Sequence, residues 1–212
     1  MKFNIEKHEY MNVAELGASL LRASFSGDLK LVRFLLTSPE IKNHADIEYQ
    51  DREGNNALFH AAVQDHIEII KYLLTSFELK IHSNIDTLNL KGDSILNYAC
   101  KHNSLKTIHY LLEDTDFNIN LNKENYLGIN PIIYAFSNQN IQILKYLLLE
   151  KKVKIDDYTY QWIKNTKKVE NHLGKTYLVG EDIIKLIENV YFFQHINNII
   201  VGKNIKNNIV KV

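Results

Sequence analysis

Gly54-Asn55-Asn56-Ala57-Leu58-Phe59-His60-Ala61-Ala62 returns as Gly92-Asp93-Ser94-Ile95-Leu96-Asn97-Tyr98-Ala99-Cys100 and again as Gly128-Ile129-Asn130-Pro131-Ile132-Ile133-Tyr134-Ala135-Phe136. Leu58 and Leu96 are 38 residues apart, and Leu96 and Ile132 are 36 apart. A worn copy, Leu20-Leu21-Arg22-Ala23-Ser24, lies 38 residues before Leu58. A period of this length signals supersecondary units stacked in one dimension, an architecture used mostly to bind other proteins.

Each copy carries two short amphipathic helices. In the second copy the first runs from about Ala57 to Gln64, with Leu58, Ala61 and Ala62 on one face. After a turn at Asp65-His66 the second runs from Ile67 to Leu74, with Ile70, Leu73 and Leu74 inward. The second helix recurs as Leu29 to Leu36, Leu105 to Leu112 and Ile141 to Leu148. One such helix pair cannot cover its own apolar face, so neighbours must stack. Between pairs, Asp51, Asn89 and Asn125 each stand three residues before Gly54, Gly92 and Gly128. A side chain that bonds nearby backbone, followed by a glycine free to take positive φ, specifies a tight turn. Short hairpins projecting from the helices are expected there.

These residues resemble the ankyrin-repeat pattern of a turn Gly, Thr-Pro-Leu-His, Ala-Ala, a Gly-His turn and a closing Leu-Leu. Pro131, His66, Ala61-Ala62 and Leu73-Leu74 match it. Ala57 and Ile95 replace the proline, and Phe59, Asn97 and Ile133 replace the histidine. The copies also exceed the family's usual length of about 33 residues. The extra residues fall after the second helix, in segments 38–44 and 77–82. The resemblance implies an all-α solenoid of helix-turn-helix units with short β-hairpin turns, about four repeats and a degenerate C-terminal cap. The expected repeats are 12–46, 47–84, 85–120 and 121–156, the first doubling as an N-terminal cap. Residues 157–200 read as a degenerate fifth repeat or an independent helical cap, with helices at Tyr158 to Lys164 and from Glu181, around a polar insertion from Asn165 to Gly180. Residues 201–212 read as a flexible tail.

Composition narrows the function. Twenty-five basic and 25 acidic side chains cancel, so neither nucleic acid nor an anionic membrane is the expected partner. Cys100 is the only cysteine, which excludes an intrachain disulfide and suits a reducing compartment such as the cytoplasm. Met1 to Lys7 leads into no apolar run that would mark a signal peptide. Val190 to Val201 is too short and too polar to span a bilayer.

Motifs that could carry chemistry are weak. Gly174-Lys175-Thr176 resembles the end of a phosphate-binding loop, but Val169 stands where its first glycine belongs. The nine histidines show no metal-ligand spacing, and the resemblance implies a structural, backbone-bonded role for His66. Asp156-Asp157 and Glu181-Asp182 suit helix N-termini. No catalytic residue, metal site or cofactor is expected, and the chain reads as a non-enzymatic, monomeric binding module.

In ankyrin arrays partners meet the hairpin tips and the exposed side of the first helix, the concave face. By that resemblance the tips hold Arg52, Glu53 and Asn55; Leu90, Lys91 and Asp93; and Tyr126, Leu127 and Ile129. Gln64, His102 and Asn138 lie on the helices. Exposed apolar tips mark interfaces, so Tyr126, Leu127 and Ile129 are the expected anchor, with Leu90 beside them and Arg52 and Lys91 on the rim. The competing reading is that the inter-repeat insertions fold over the tips. Two other functions stand open: a small catalytic or ligand site near Trp162, with the repeats selecting substrate, and an inhibitor occluding another protein's active site. The composition also resembles that of ankyrin proteins from AT-rich microbes, including effectors that intracellular bacteria deliver into host cytoplasm.

Overall fold

The computed structural model describes residues 12–166, 168–170 and 176–209. The chain divides between Ile129 and Asn130 into two compact units.

The first unit holds three helix pairs: α1 (Val13–Ser26) with α2 (Leu29–Thr37), α3 (Ala57–Val63) with α4 (Ile67–Thr75), and α5 (Ile95–His102) with α6 (Leu105–Glu113). The first helix of each pair begins where a side chain can satisfy its orphan amides. Asn12 and Glu15 form a capping box on α1, and Asn56 Oδ1 accepts from Leu58 N and Phe59 N on α3. Within each pair, the turn passes through a left-handed residue: Gly27, Asp65 or Asn103. First helices pack in succession, α1 on α3 and α3 on α5, and so do second helices, α2 on α4 and α4 on α6. Ala61, Ala62 and Ala99 are completely buried where first helices approach closely.

The alternation of small and bulky side chains produces one continuous apolar core, running from Leu16 and Leu20 through Leu58, Phe59 and Leu73 to Ile95 and Leu111. Full burial of one such leucine contributes about 2 kcal/mol. Polar links repeat as well. His66 Nε2 is 3.0 Å from Phe25 O, the structural role that the family pattern implied, and at the equivalent place 38 residues on Ser104 Oγ donates to Val63 O at 3.3 Å.

The inter-repeat insertions do not cover the tips. Ile41 and Leu79 tuck inward from them, while His44 and His82 each bond the carbonyl of the serine six residues earlier, Ser38 and Ser76. Arg33 pairs with Glu78 on the second insertion.

The second unit opens with α7 (Pro131–Ser137) and α8 (Ile141–Lys145), joined through left-handed Gln139. Instead of closing as an α-helix, α8 passes into a π-helical turn, Tyr146–Glu150. Then come α9 (Asp157–Asn165), β1 (Lys168–Glu170), β2 (Thr176–Leu178) and α10 (Glu181–Ile209). Asp156 caps α9 through Thr159 N at 2.7 Å, the capping expected for this acid. The insertion between Asn165 and Gly180 holds a two-stranded antiparallel hairpin with Val169 opposite Tyr177, a feature not foreseen in the sequence. Within this unit α9 packs on α7 and on α10. The core of the unit includes Ile132, Phe136, Leu144, Leu147, Ile163 and Ile187.

Three of the C-terminal aromatics, Trp162, Tyr160 and Tyr191, are used within that unit. Trp162 meets Phe136 edge-on at 6.1 Å, and Tyr160 stacks flat on Tyr191 at 3.8 Å. The Tyr191 hydroxyl donates to Asp157 at 2.7 Å. Gly174 and Lys175, of the phosphate-loop resemblance, lie outside the described residues. Among the described residues no helix is long and apolar enough to cross a membrane, and no three His, Cys, Asp or Glu side chains group as metal ligands.

Candidate functional site

The inter-repeat turns of the first unit are built three times from one design. Asp51 Oδ1 accepts from Glu53 N at 2.8 Å and Asn55 N at 2.9 Å. Asn89 Oδ1 serves Lys91 N and Asp93 N, and Asn125 Oδ1 serves Leu127 N and Ile129 N, all at 2.9–3.0 Å. Gly54, Gly92 and Gly128 close the turns at φ of 80°, 78° and 73°, where a side chain would be strained. The Asx-to-glycine spacing therefore specifies these turns, which close without extended strand ladders.

Successive tips are joined directly. Leu90 N donates to Glu53 O at 2.9 Å, and Tyr126 N donates to Lys91 O at 3.0 Å. Below them runs a ladder of buried polar side chains: Asn89 Nδ2 to Asn55 Oδ1 at 3.1 Å, and Asn125 Nδ2 to Asp93 Oδ1 at 2.7 Å. Asn55 and Asp93, expected on the presented surface, are instead almost wholly buried. They turn inward because each tip must satisfy the amide of the next. Asn97, at the family's histidine position, ties the third tip to α5 by donating to Lys123 O at 2.9 Å and Ile129 O at 3.1 Å.

With the polar groups at the base consumed, three large apolar side chains project among charged ones. Leu90 is 69% exposed, Tyr126 74% and Leu127 70%. Arg52, Glu53 and Lys91 are exposed beside them. Ile129 is only half-buried and its carbonyl is held by Asn97. Gln64 is exposed at the end of α3, and His102 is half-buried at the end of α5 with its ring 4.5 Å from Tyr98. Asn138 is half-buried at the end of α7 in the second unit.

Phe25 and Lys101, at the repeat position just before Gln64 and His102 on the exposed side of the first helix, also accompany the tips, as does Tyr98. Phe25 is exposed with its ring 6.1 Å from His60, and His60 Nε2 is 2.9 Å from Asp51 Oδ2. Burial acts against the Asp51 charge, but the amides of Asn55 and Glu53 and the His60 ring outweigh it and lower the carboxyl pKa. Burial, reinforced by Glu53, Asp51 and Asp93, pushes the Tyr98 phenol up to about 12. Burial lowers the Lys101 pKa, against Asp93 Oδ2 at 3.9 Å. Together these groups form a polar floor beside the apolar tips.

A family model for ankyrin repeats (3 copies) matches residues 20–123 and again 77–161. The two matches span more than half the chain, which therefore belongs to the ankyrin-repeat family. Ankyrin repeats are generally protein–protein interaction modules, typically non-enzymatic scaffolds, so proteins are the class of partner the family implies. A search of curated proteins finds no match.

Proposed function

We propose that this chain captures a partner protein on the tips of its first unit, with Tyr126, Leu127 and Leu90 as apolar anchors. Arg52 and Lys91 supply the charged rim, Gln64 and His102 extend the surface along α3 and α5, and Ile129 supports its edge. Asn138, expected as a contact by repeat equivalence, belongs to the second unit. One observation carries the reading: three large apolar side chains are exposed on turns that the fold holds rigid without them. Such a surface loses little conformational entropy on binding, and burying its aromatic anchor supplies a binding hot spot. The balanced charge and single buried thiol favour a cytoplasmic setting, and the compositional resemblance favours an effector acting on host proteins.

The test compares wild type with Tyr126→Ala/Leu127→Ala in affinity capture from a lysate. Loss of the same captured proteins with an unchanged thermal transition supports the reading. Undiminished capture by a folded double variant overturns it.

A further inference from the structure

The repeat itself shows where the second unit departs from structural need. Leu149 follows Leu147-Leu148 where Thr37, Thr75 and Glu113 follow the paired leucines of the other copies. Thr37 and Thr75 bond back to the carbonyls of Arg33 and Lys71, as suits an exposed last helical turn. Leu149 is 51% exposed instead, on the π-helical turn Tyr146–Glu150. π-turns often mark functional sites.

Leu149 lines a groove of about 670 Å³ together with Ile155, Leu186, Val190 and Phe193. Phe193 is 68% exposed. Among the described residues, every ionisable group lining the groove is a base: Lys152, Lys154 and His195. Lys152 and Lys154 alternate with inward-facing Val153 and Ile155 and are both exposed, which places two cations along one edge of an apolar trough.

The backbone beside the groove is already engaged. Gln194 Nε2 donates to Val153 O at 3.0 Å, and Ile155 N donates to Gln194 Oε1 at 3.0 Å. Val153 N donates to Leu147 O at 2.9 Å. An added strand would find these ladder groups taken. An amphipathic helix, which presents only side chains at i, i+3, i+4 and i+7, needs none of them.

We propose that this groove is a second docking site, for an acidic amphipathic helix of a partner protein. Its apolar stripe covers Leu149 and Phe193, and its flanking carboxylates face Lys152 and Lys154. The site is independent of the tip surface.

The test is selection of a random-peptide phage library on the full-length protein, with counter-selection on Leu149→Thr/Phe193→Ser. Threonine occupies the equivalent position in two other copies, and Phe193 is mostly exposed, so this variant should fold; its thermal transition checks that. The expected winners carry apolar residues at helical spacing with Asp or Glu beside them. A synthetic winner should bind Leu149→Thr/Phe193→Ser about tenfold more weakly and Lys152→Asn/Lys154→Glu about fivefold more weakly. It should bind Tyr126→Ala/Leu127→Ala like wild type, separating this groove from the tips. Winners without acidic residues, winners indifferent to both groove variants, or no enrichment at all would overturn the proposal. Saturable binding of sodium dodecanoate without peptide enrichment would assign the groove to a small amphiphile instead.

Discussion

Asn125 Nδ2 lies 2.7 Å from Asp93 Oδ1, both side chains almost fully removed from water. They belong to different copies of the repeat, so this bond fixes one turn against the next. Removing the Asp93 carboxylate leaves the Asn125 amide without this buried acceptor. Asp93→Ala should cost about 1–3 kcal/mol in urea unfolding. A cost below about 0.5 kcal/mol would mean the ladder contributes little.

Gly92 offers a backbone version of the same test. Its φ is 78°, and a methyl group there would sit 2.9 Å from Tyr126 N and 2.8 Å from the Tyr126 ring. Gly92→Ala should lose about 2 kcal/mol, combining left-handed strain with displacement of the neighbouring tip. Thermal and urea unfolding would show it.

Asp51 differs from its counterparts Asn89 and Asn125 by a charge. Its folded pKa is lowered, so its ionisation stabilises the native state above the ordinary carboxylate range and that contribution disappears as pH falls through the folded value. Asp51→Asn keeps the turn-forming oxygen and removes this dependence. The variant should be less stable than wild type near pH 7, and the gap in melting temperature should close as pH falls below the ordinary carboxylate range. A gap of constant size from pH 7 to pH 2.5 would rule out the linkage.

Exposed turns ordinarily exchange their amide hydrogens quickly. Leu90 N and Tyr126 N are bonded to the preceding tips and should exchange far more slowly than the unfolded chain. Hydrogen exchange followed by NMR reads this directly, and fast exchange at both would show that the tips move independently.

Cys100 is completely buried, and burial pushes its thiol pKa upward. It should resist a disulfide reagent in the native protein and react fully in denaturant.

What could be read from sequence follows the range of each interaction. The Asx-to-glycine turns and the paired helices are local, so Asp51, Asn89, Asn125 and their glycines announce them. Pairing of Asn55 with Asn89 joins residues 34 apart, and nothing in either neighbourhood reveals that these amides face inward; they look like ordinary turn residues. The exposure of Leu90, Tyr126 and Leu127 was legible, as apolar residues at positions the turn leaves outward. Phe25 was legible too, by repeat equivalence with the exposed side of the other first helices; Tyr98 was not, because an aromatic on a short amphipathic helix reads as core. The π-turn escaped because Ile141 to Leu148 keeps ordinary helical spacing, although Leu149 in place of Thr37 and Thr75 is a signal visible in the sequence.

The most direct test of the tip surface is quantitative affinity capture by three proteins: wild type, Tyr126→Ala/Leu127→Ala and Leu149→Thr/Phe193→Ser. A set of partners held by wild type and the groove variant, but lost from the tip variant at unchanged thermal stability, is the expected result. The same partners retained at equal abundance by the folded tip variant would contradict it.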